Sequence, residues 1–192
     1  MSSLSICSPF ILYGSFFYPL VLARLSKQNI EGYNLLLIRE ITKEDRENIT
    51  SLLHEHWGSP RIISKGIVYE ADMLDGLIIL EGDTICGFLT YFINSDGMEI
   101  ITFNSLVENT GIGTALLYEI MKKAVELDVK KISLITTNDN LNALRFYQKN
   151  GFRITSYYKG AIKNSRKLKP SIPLVGNYGI PIEDEIELEY NV

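Results

Sequence analysis

The chain has 192 residues, of which 46% are apolar and 22% charged, and its formal net charge is −4. Such a length and composition suit one α/β domain with additions and a sizeable core. The acidic balance argues against a nucleic-acid-binding protein. Cys7 and Cys86, the two cysteines, form no paired motif, which excludes a disulfide framework or a zinc site and fits a reducing, cytoplasmic setting.

Residues Pro9 to Leu25 (PFILYGSFFYPLVLARL) are strongly apolar. Met1 to Ser8 contains no Lys or Arg, so the segment is no secretory signal. Gly14 and Pro19 interrupt it, and it is short for a membrane span. Residues 1–33 therefore read as an N-terminal extension, either poorly ordered or packed on the domain or a partner, with membrane association the lesser alternative.

The domain begins at about residue 34. Leu35 to Ile38 has the length and character of a strand. Thr42 and Asp45 resemble a capping box with Asp in place of Glu, and Ile49, Leu52, Leu53 and Trp57 continue at helical spacing until Gly58 and Pro60. Arg61 to Asp75 is mixed and predicts a loop with one helical turn. Three strands follow: Leu77–Leu80, Ile85–Ile93 and Met98–Val107. The turns Glu81-Gly82-Asp83 and Asn94-Ser95-Asp96-Gly97 join them as antiparallel neighbours.

Ile112, Leu116, Ile120, Ala124 and Leu127 then mark one face of a helix from Gly111 to Leu127. Ile132–Thr137 reads as a strand. Asn138-Asp139-Asn140 offers N-cap chemistry for a helix carrying Leu141, Leu144 and Tyr147, which Asn150-Gly151 ends. Phe152–Tyr158 is the last core strand. The order is that of an α+β, mixed-sheet domain over 34–158. Residues 159–192 form a charged C-terminal tail, basic from Lys163 to Lys169 and acidic from Glu183 to Glu189. There Ile186, Leu188 and Tyr190 alternate with acids as in a short edge strand.

The informative segment is Glu108-Asn109-Thr110-Gly111-Ile112-Gly113-Thr114, between a strand and a strong helix. Glycines let a ligand approach the backbone, and the unpaired first N–H groups of the helix favour a phosphate. A Walker loop is excluded because Thr114-Ala115 follows Gly113 where Lys-Ser/Thr is needed. A dinucleotide fingerprint is disfavoured: Leu116 stands at the third glycine position, and Lys131 lies near the place of the ribose-binding acid. A cradle for the pyrophosphate of coenzyme A is the third alternative.

Two signatures, Glu108-x-x-Gly111-x-Gly113 and Asn140-x-x-Ala143-x-x-Phe146-Tyr147-x-x-x-Gly151-Phe152, make the chain resemble the GNAT acetyltransferase superfamily. Glu108 departs from the family's Arg or Gln, so only a backbone role is carried over there. The resemblance implies a GNAT-like mixed, mostly antiparallel sheet flanked by helices, with a splayed central strand pair. It implies acetyl-CoA as co-substrate and an amine as acceptor, whether a small molecule, a peptide N-terminus or a protein lysine. Backbone groups of Leu106 and Val107 would meet the pantetheine, with N–H groups near Leu106 polarising the thioester carbonyl. The amides of Gly111, Ile112, Gly113 and Thr114 would hold the pyrophosphate, and Asn140 would contact the cofactor near the thioester. Tyr147 would donate a proton to the departing thiolate, and Glu99 is the candidate base.

Simpler roles stand beside these. Tyr147 is also placed to pack against Phe146, Asn140 to cap its helix, and Glu99 to face outward from the sheet. Trp57 reads equally as core or as acceptor-pocket wall. His54 and His56 point to different helix faces and make a poor metal pair. Acceptor-pocket residues would come from His54–Asp75 and Tyr157–Pro173. No nucleic acid and no membrane partner is expected, and a homodimer is compatible with the sequence. The alternatives to an enzyme are a catalytically silent CoA-binding domain and an interaction module.

Overall fold

The computed structural model describes residues 36–107 and 110–192. The extension expected over 1–33, with Cys7, and the departing residue Glu108 lie outside the described residues. In chain order the elements are β1 (Leu36–Glu40), α1 (Arg46–Trp57), β2 (Arg61–Ser64), β3 (Ile67–Glu70), a 3₁₀ turn (Ala71–Met73), β4 (Asp75–Glu81), β5 (Thr84–Asn94), β6 (Gly97–Ser105), α2 (Ile112–Glu126), β7 (Lys131–Thr137), α3 (Leu141–Lys149), β8 (Arg153–Tyr158), α4 (Ala161–Leu168) and β9 (Glu185–Asn191). Seven strands form one sheet in the order β1-β4-β5-β6-β7-β9-β8. Among the described residues only β6 and β7 run parallel. This is the α+β, mostly antiparallel arrangement expected.

Each face of the sheet buries its own core. On one side Ile112, Leu116, Leu117 and Ile120 of α2 pack with Tyr147 of α3, Phe152 and the strand residues Leu89, Met98, Ile100, Ile132 and Leu188. On the other, Ile49 and Leu53 of α1 and Ile62 and Tyr69 of the β2–β3 hairpin cover Ile78, Leu80, Phe88 and Ile101. Burying one such Leu or Ile contributes about 1.5–3 kcal/mol, so the apolar stripes of α1 and α2 fix these helices to opposite faces.

At the start of α1 half of the anticipated capping box forms: the Asp45 carboxylate reaches back to accept from the Thr42 N–H at 2.7 Å. It also takes two hydrogen bonds from Arg39, at 2.6 and 2.9 Å, which hold its pKa well below the usual carboxylate range.

Two expectations are corrected. Arg61–Asp75 is no loop: Ile62 pairs with Tyr69 and Ser64 with Ile67 across a two-residue turn. Lys65 and Gly66 both have positive φ, 50° and 77°, the geometry that suits the twist of a hairpin. The C-terminal strand β9 lies inside the sheet, hydrogen-bonded to β7 on one side and β8 on the other. Its alternation sends Ile186, Leu188 and Tyr190 to the α2–α3 face. Glu185, Glu187 and Glu189 fall on the opposite face, where Lys65, Lys131, Tyr158 and Ser165 meet them. The basic stretch before it forms α4, with Ile162 and Ser165 buried. Among the described residues no helix is long and apolar enough to cross a membrane.

Candidate active site

The site begins with a bulge. Thr90 pairs with Thr102 and Tyr91 with Ile100, leaving Ile101 as an extra residue on β6. Ile101 packs into the α1-side core, and the Thr102 hydroxyl meets that of Thr90 at 2.8 Å. A bulge bends its strand and sharpens the twist. Here it coincides with the end of β6–β7 pairing, which runs only from Met98↔Ile132 to Ile100↔Leu134. Beyond that rung the two strands continue to Ser105 and Thr137 without pairing, so the sheet opens in its middle.

On the α2–α3 side the opening is a cleft of about 670 Å³, lined by Phe103, Ser105, Gly111, Gly113, Thr114, Thr136, Asn140, Phe146 and Tyr147 among others. Gly111 caps α2 with φ 86°, a conformation that glycine adopts without strain. Ala115 is the first residue whose N–H bonds back, to Gly111 O at 2.9 Å. Among the described residues the amides of Ile112, Gly113 and Thr114 have no acceptor, and they stand at the positive end of the helix dipole. A Cβ at Gly113 would stand 3.4 Å from the Phe146 ring and 3.6 Å from Phe103, so the first helical turn lies directly beside the aromatic wall.

Tyr147 belongs to that wall and is 6% exposed. Its ring meets Phe103, Phe146 and Phe152 at centroid distances of 5.7, 5.2 and 5.6 Å. Burial pushes its phenol well above the ordinary value, so it stays protonated at neutral pH. Among the described residues the Tyr147 hydroxyl has no hydrogen-bond partner. Asn140 caps α3 by accepting from the Ala143 N–H at 3.2 Å, and it also stands where the two sides of the opening meet.

The backbone after β6 differs from expectation in one respect. The Leu106 N–H donates to Cys86 O at 2.9 Å, which takes that amide into the sheet and away from the cleft. The Val107 carbonyl accepts from Thr110 Oγ1 at 2.9 Å and from Ser105 Oγ at 3.2 Å. Because main-chain groups alternate sides along a strand, those of Phe103 and Ser105 point toward the gap instead.

On the α1 side the opening continues into a second cleft of about 440 Å³. Its apolar walls include Ile62, Ile63, Ile101, Ile135, Ile162 and Ile172, and Trp57 lines both clefts while donating from Nε1 to Asn104 Oδ1 at 2.8 Å. Trp57 is therefore pocket wall. The far wall is latched by α4. Arg166 donates to the carbonyls of Ile172, Pro173 and Ile182, and Lys169 Nζ donates to those of Trp57 and Arg61, each at 2.8 Å.

Glu99 is buried on β6, at 4% exposure, and lines a separate polar pocket of about 250 Å³ with Lys65, Lys131, Tyr158 and Glu187. It meets the α1-side cleft through Ser64, which lines that cleft and donates its hydroxyl to Glu99 Oε1 at 2.5 Å. Glu185 lines the cleft directly. It accepts from the Lys65 N–H and from Ser165 Oγ, each at 3.2 Å. Burial raises its pKa, and those two hydrogen bonds only partly oppose the rise. Neither Glu185 nor Lys65 stands out in the sequence; the acid–apolar alternation from Glu185 to Tyr190 is a signal that includes Glu185, and nothing local marks Lys65. Among the described residues no group of His, Cys, Asp or Glu side chains is placed to hold a metal.

A family model described as the acetyltransferase (GNAT) family matches residues 38–152. The uncharacterized protein YxbD of Bacillus subtilis (strain 168) is 43% identical over 144 residues, which cover 74% of this chain and 91% of YxbD. The IAA acetyltransferase from Bacillus cereus ATCC 14579 has a TM-score of 0.66 at 24% identity, covering 82% of this chain and 99% of that one. A GNAT family acetyltransferase from Elizabethkingia anophelis with acetyl-CoA bound has a TM-score of 0.60 at 21% identity, covering 84% and 100%. The two solved structures share the overall fold, and the family match spans both glycine-turn and tyrosine-helix motifs. On these grounds the chain belongs to the GNAT acetyltransferase family.

Proposed function

We propose that the protein transfers an acetyl group from acetyl-CoA to the nitrogen of an amine by direct attack. The observation that carries this reading is the break in β6–β7 pairing after Ile100 and Leu134, which joins a cleft ending at the unpaired amides of α2 to a second cleft on the opposite face. Acetyl-CoA would supply the activated acyl group and a diphosphate suited to the amides of Ile112, Gly113 and Thr114 beyond Gly111.

The remaining roles belong to the chain's own side chains and backbone. Main-chain groups of Phe103 and Ser105 hold the pantetheine arm, and Leu106 and Val107 shape the turn that leads to Gly111. Asn140 contacts the cofactor where the clefts meet. Tyr147 keeps its proton at neutral pH, because a phenol (about 10 or above) is a weaker acid than a thiol (about 8.5); its hydroxyl donates to the sulfur as charge builds there and delivers the proton to the departing thiolate, and the phenolate recovers a proton from solvent. Glu99 serves as base through Ser64: the Ser64 hydroxyl passes its proton to Glu99 as it takes one from the attacking nitrogen.

Calorimetry with acetyl-CoA, followed by thiol release over a panel of amines, tests the proposal. Binding with no turnover on any amine would favour the silent CoA-binding domain. No binding would remove the transferase reading altogether.

A further inference from the structure

Resting on the transferase reading, we propose that the acceptor is a small primary amine carried on an apolar body, and that Glu185 is the anion that recruits its ammonium group. Among the described residues Glu185 is the one carboxylate lining the 440 Å³ cleft, whose walls combine seven isoleucines, Trp57 and Pro173 with neutral polar side chains such as Ser64, Thr136 and Asn140 and with His56 and Lys169. A volume of that size fits a small ligand, and a surface that is mostly apolar selects for an apolar body oriented by one charged contact. The lysines nearest the cleft do not compete for Glu185. Lys169 is turned to the carbonyls of Trp57 and Arg61. Lys65 offers Glu185 only its backbone N–H, while its ammonium pairs with Glu187 at 2.9 Å and approaches Glu99 at 3.6 Å.

The charge balance behind the cleft gives the same answer. Glu99, Glu185 and Glu187 are exposed by 4%, 2% and 6%, and Lys65 is the one side-chain cation paired with this trio within 4 Å among the described residues. A buried carboxylate without a counter-ion is costly, and an arriving ammonium supplies the missing charge. It would pair with Glu185 beside Ser64, where the route for the nitrogen's proton to Glu99 begins. A polyamine brings the charge but has no apolar body for the isoleucine walls; a neutral alcohol of the same shape brings the body but no charge.

The experiment uses the full chain, with thiol release as the readout and 2-phenylethylamine, spermidine and 2-phenylethanol as probes. Phenylethylamine is expected to exceed spermidine in kcat/KM by about tenfold or more, and phenylethanol to compete with it at least about tenfold more weakly than the amine binds. Glu185→Gln is expected to raise the amine KM by about tenfold while kcat and acetyl-CoA affinity stay within about threefold. Preference for spermidine, equal competition by the alcohol, or an unchanged amine KM in Glu185→Gln would overturn the inference. Should Glu185→Gln fail to fold, the two wild-type comparisons still decide. Acetyl-CoA binding with turnover on polar amines only would remove this inference and leave the transferase reading intact, whereas absent acetyl-CoA binding would remove both.

Discussion

Ile100 and Leu134 form the last rung between β6 and β7, and the next residue on β6, Ile101, is the bulge that turns the strand away. One extra residue thus decides where the sheet opens. Because Ile101 belongs to the α1-side core and Ile100 to the α2-side core, the same step commits the two layers to opposite walls of the gap. The opening is flanked by a helix start on one face and by a carboxylate on the other, which is the arrangement that the proposed transfer from an anionic donor to an amine would use.

Tyr147→Phe separates the proposed proton donor from a packing role. The phenyl ring keeps the contacts with Phe103, Phe146 and Phe152, and among the described residues the lost hydroxyl leaves no partner stranded, so stability should change by less than about 0.5 kcal/mol. Turnover should fall by about a hundredfold, the usual scale for removing a general acid, with acetyl-CoA affinity nearly unchanged. Calorimetry and steady-state kinetics on the same preparation check this; a parallel loss of affinity and kcat would mean that Tyr147 only shapes the cleft.

Gly113→Trp tests the cradle. A Cβ at that position already touches Phe146 and Phe103 at 3.4 and 3.6 Å, so an indole must occupy the space between the helix start and the aromatic wall. Acetyl-CoA binding should weaken by about a hundredfold or more, an energy of about 2.7 kcal/mol, while circular dichroism retains the native helix signal. Undiminished binding by calorimetry would remove the first turn of α2 from the cofactor site.

The parts of the molecule that were legible in the sequence are those whose signals are local. The β4–β5–β6 meander follows from its turns, α2 from its apolar stripe, and the α3 segment from Asn140 and Gly151. The β2–β3 hairpin was hidden because its strands have four residues each and its turn places Lys65, not Asn or Gly, at the first positive-φ position. β9 reads as an edge because Glu185, Glu187 and Glu189 look solvent-facing, and nothing local reveals that Lys65, some 120 residues earlier, meets Glu185 and Glu187. Contacts between distant segments leave no periodicity to read, and the α1-side cleft is made almost wholly of such contacts.

Asp45 anchors the start of α1, and its contribution should depend on pH. Its pKa is depressed in the fold, first by the paired hydrogen bonds from Arg39 and then by those from Thr42, which together outweigh burial. Its stabilisation is therefore complete above the unfolded value of about 3.9 and is lost as pH falls toward the lower folded value. Asp45→Asn should cost about 2 kcal/mol at pH 7, the scale of hydrogen bonds to a charged group. The gap to the wild type should close progressively between about pH 4 and pH 2. Thermal melts across that range check it, and a gap that stays constant with pH would assign the effect to packing.

Lys65 supports a second carboxylate whose contribution depends on pH with the same sign. In the wild type, burial alone would raise the pKa of Glu187, but hydrogen bonds from Tyr158 and Lys65 prevail and lower it. Glu187 therefore stabilises the fold above its unfolded pKa of about 4.3 and ceases to do so only as pH falls through its lower folded value. In Lys65→Met the hydrogen bond and charge of Lys65 are gone while the Tyr158 hydrogen bond stays, so the folded pKa of Glu187 rises from its depressed value and the stabilisation that Glu187 gives above about pH 4.3 shrinks. The loss relative to the wild type should grow from about pH 3, where Glu187 takes up its proton, to about pH 7 and reach about 2 kcal/mol there, a discount from the cost of breaking a fully buried pair because the Lys65 side chain is 30% exposed. Urea unfolding at both pH values measures it. If the deficit were equal at about pH 3 and pH 7, Lys65 would be acting through the hairpin turn and not through the buried acids, and the unbalanced charge behind the α1-side cleft would lose its physical basis.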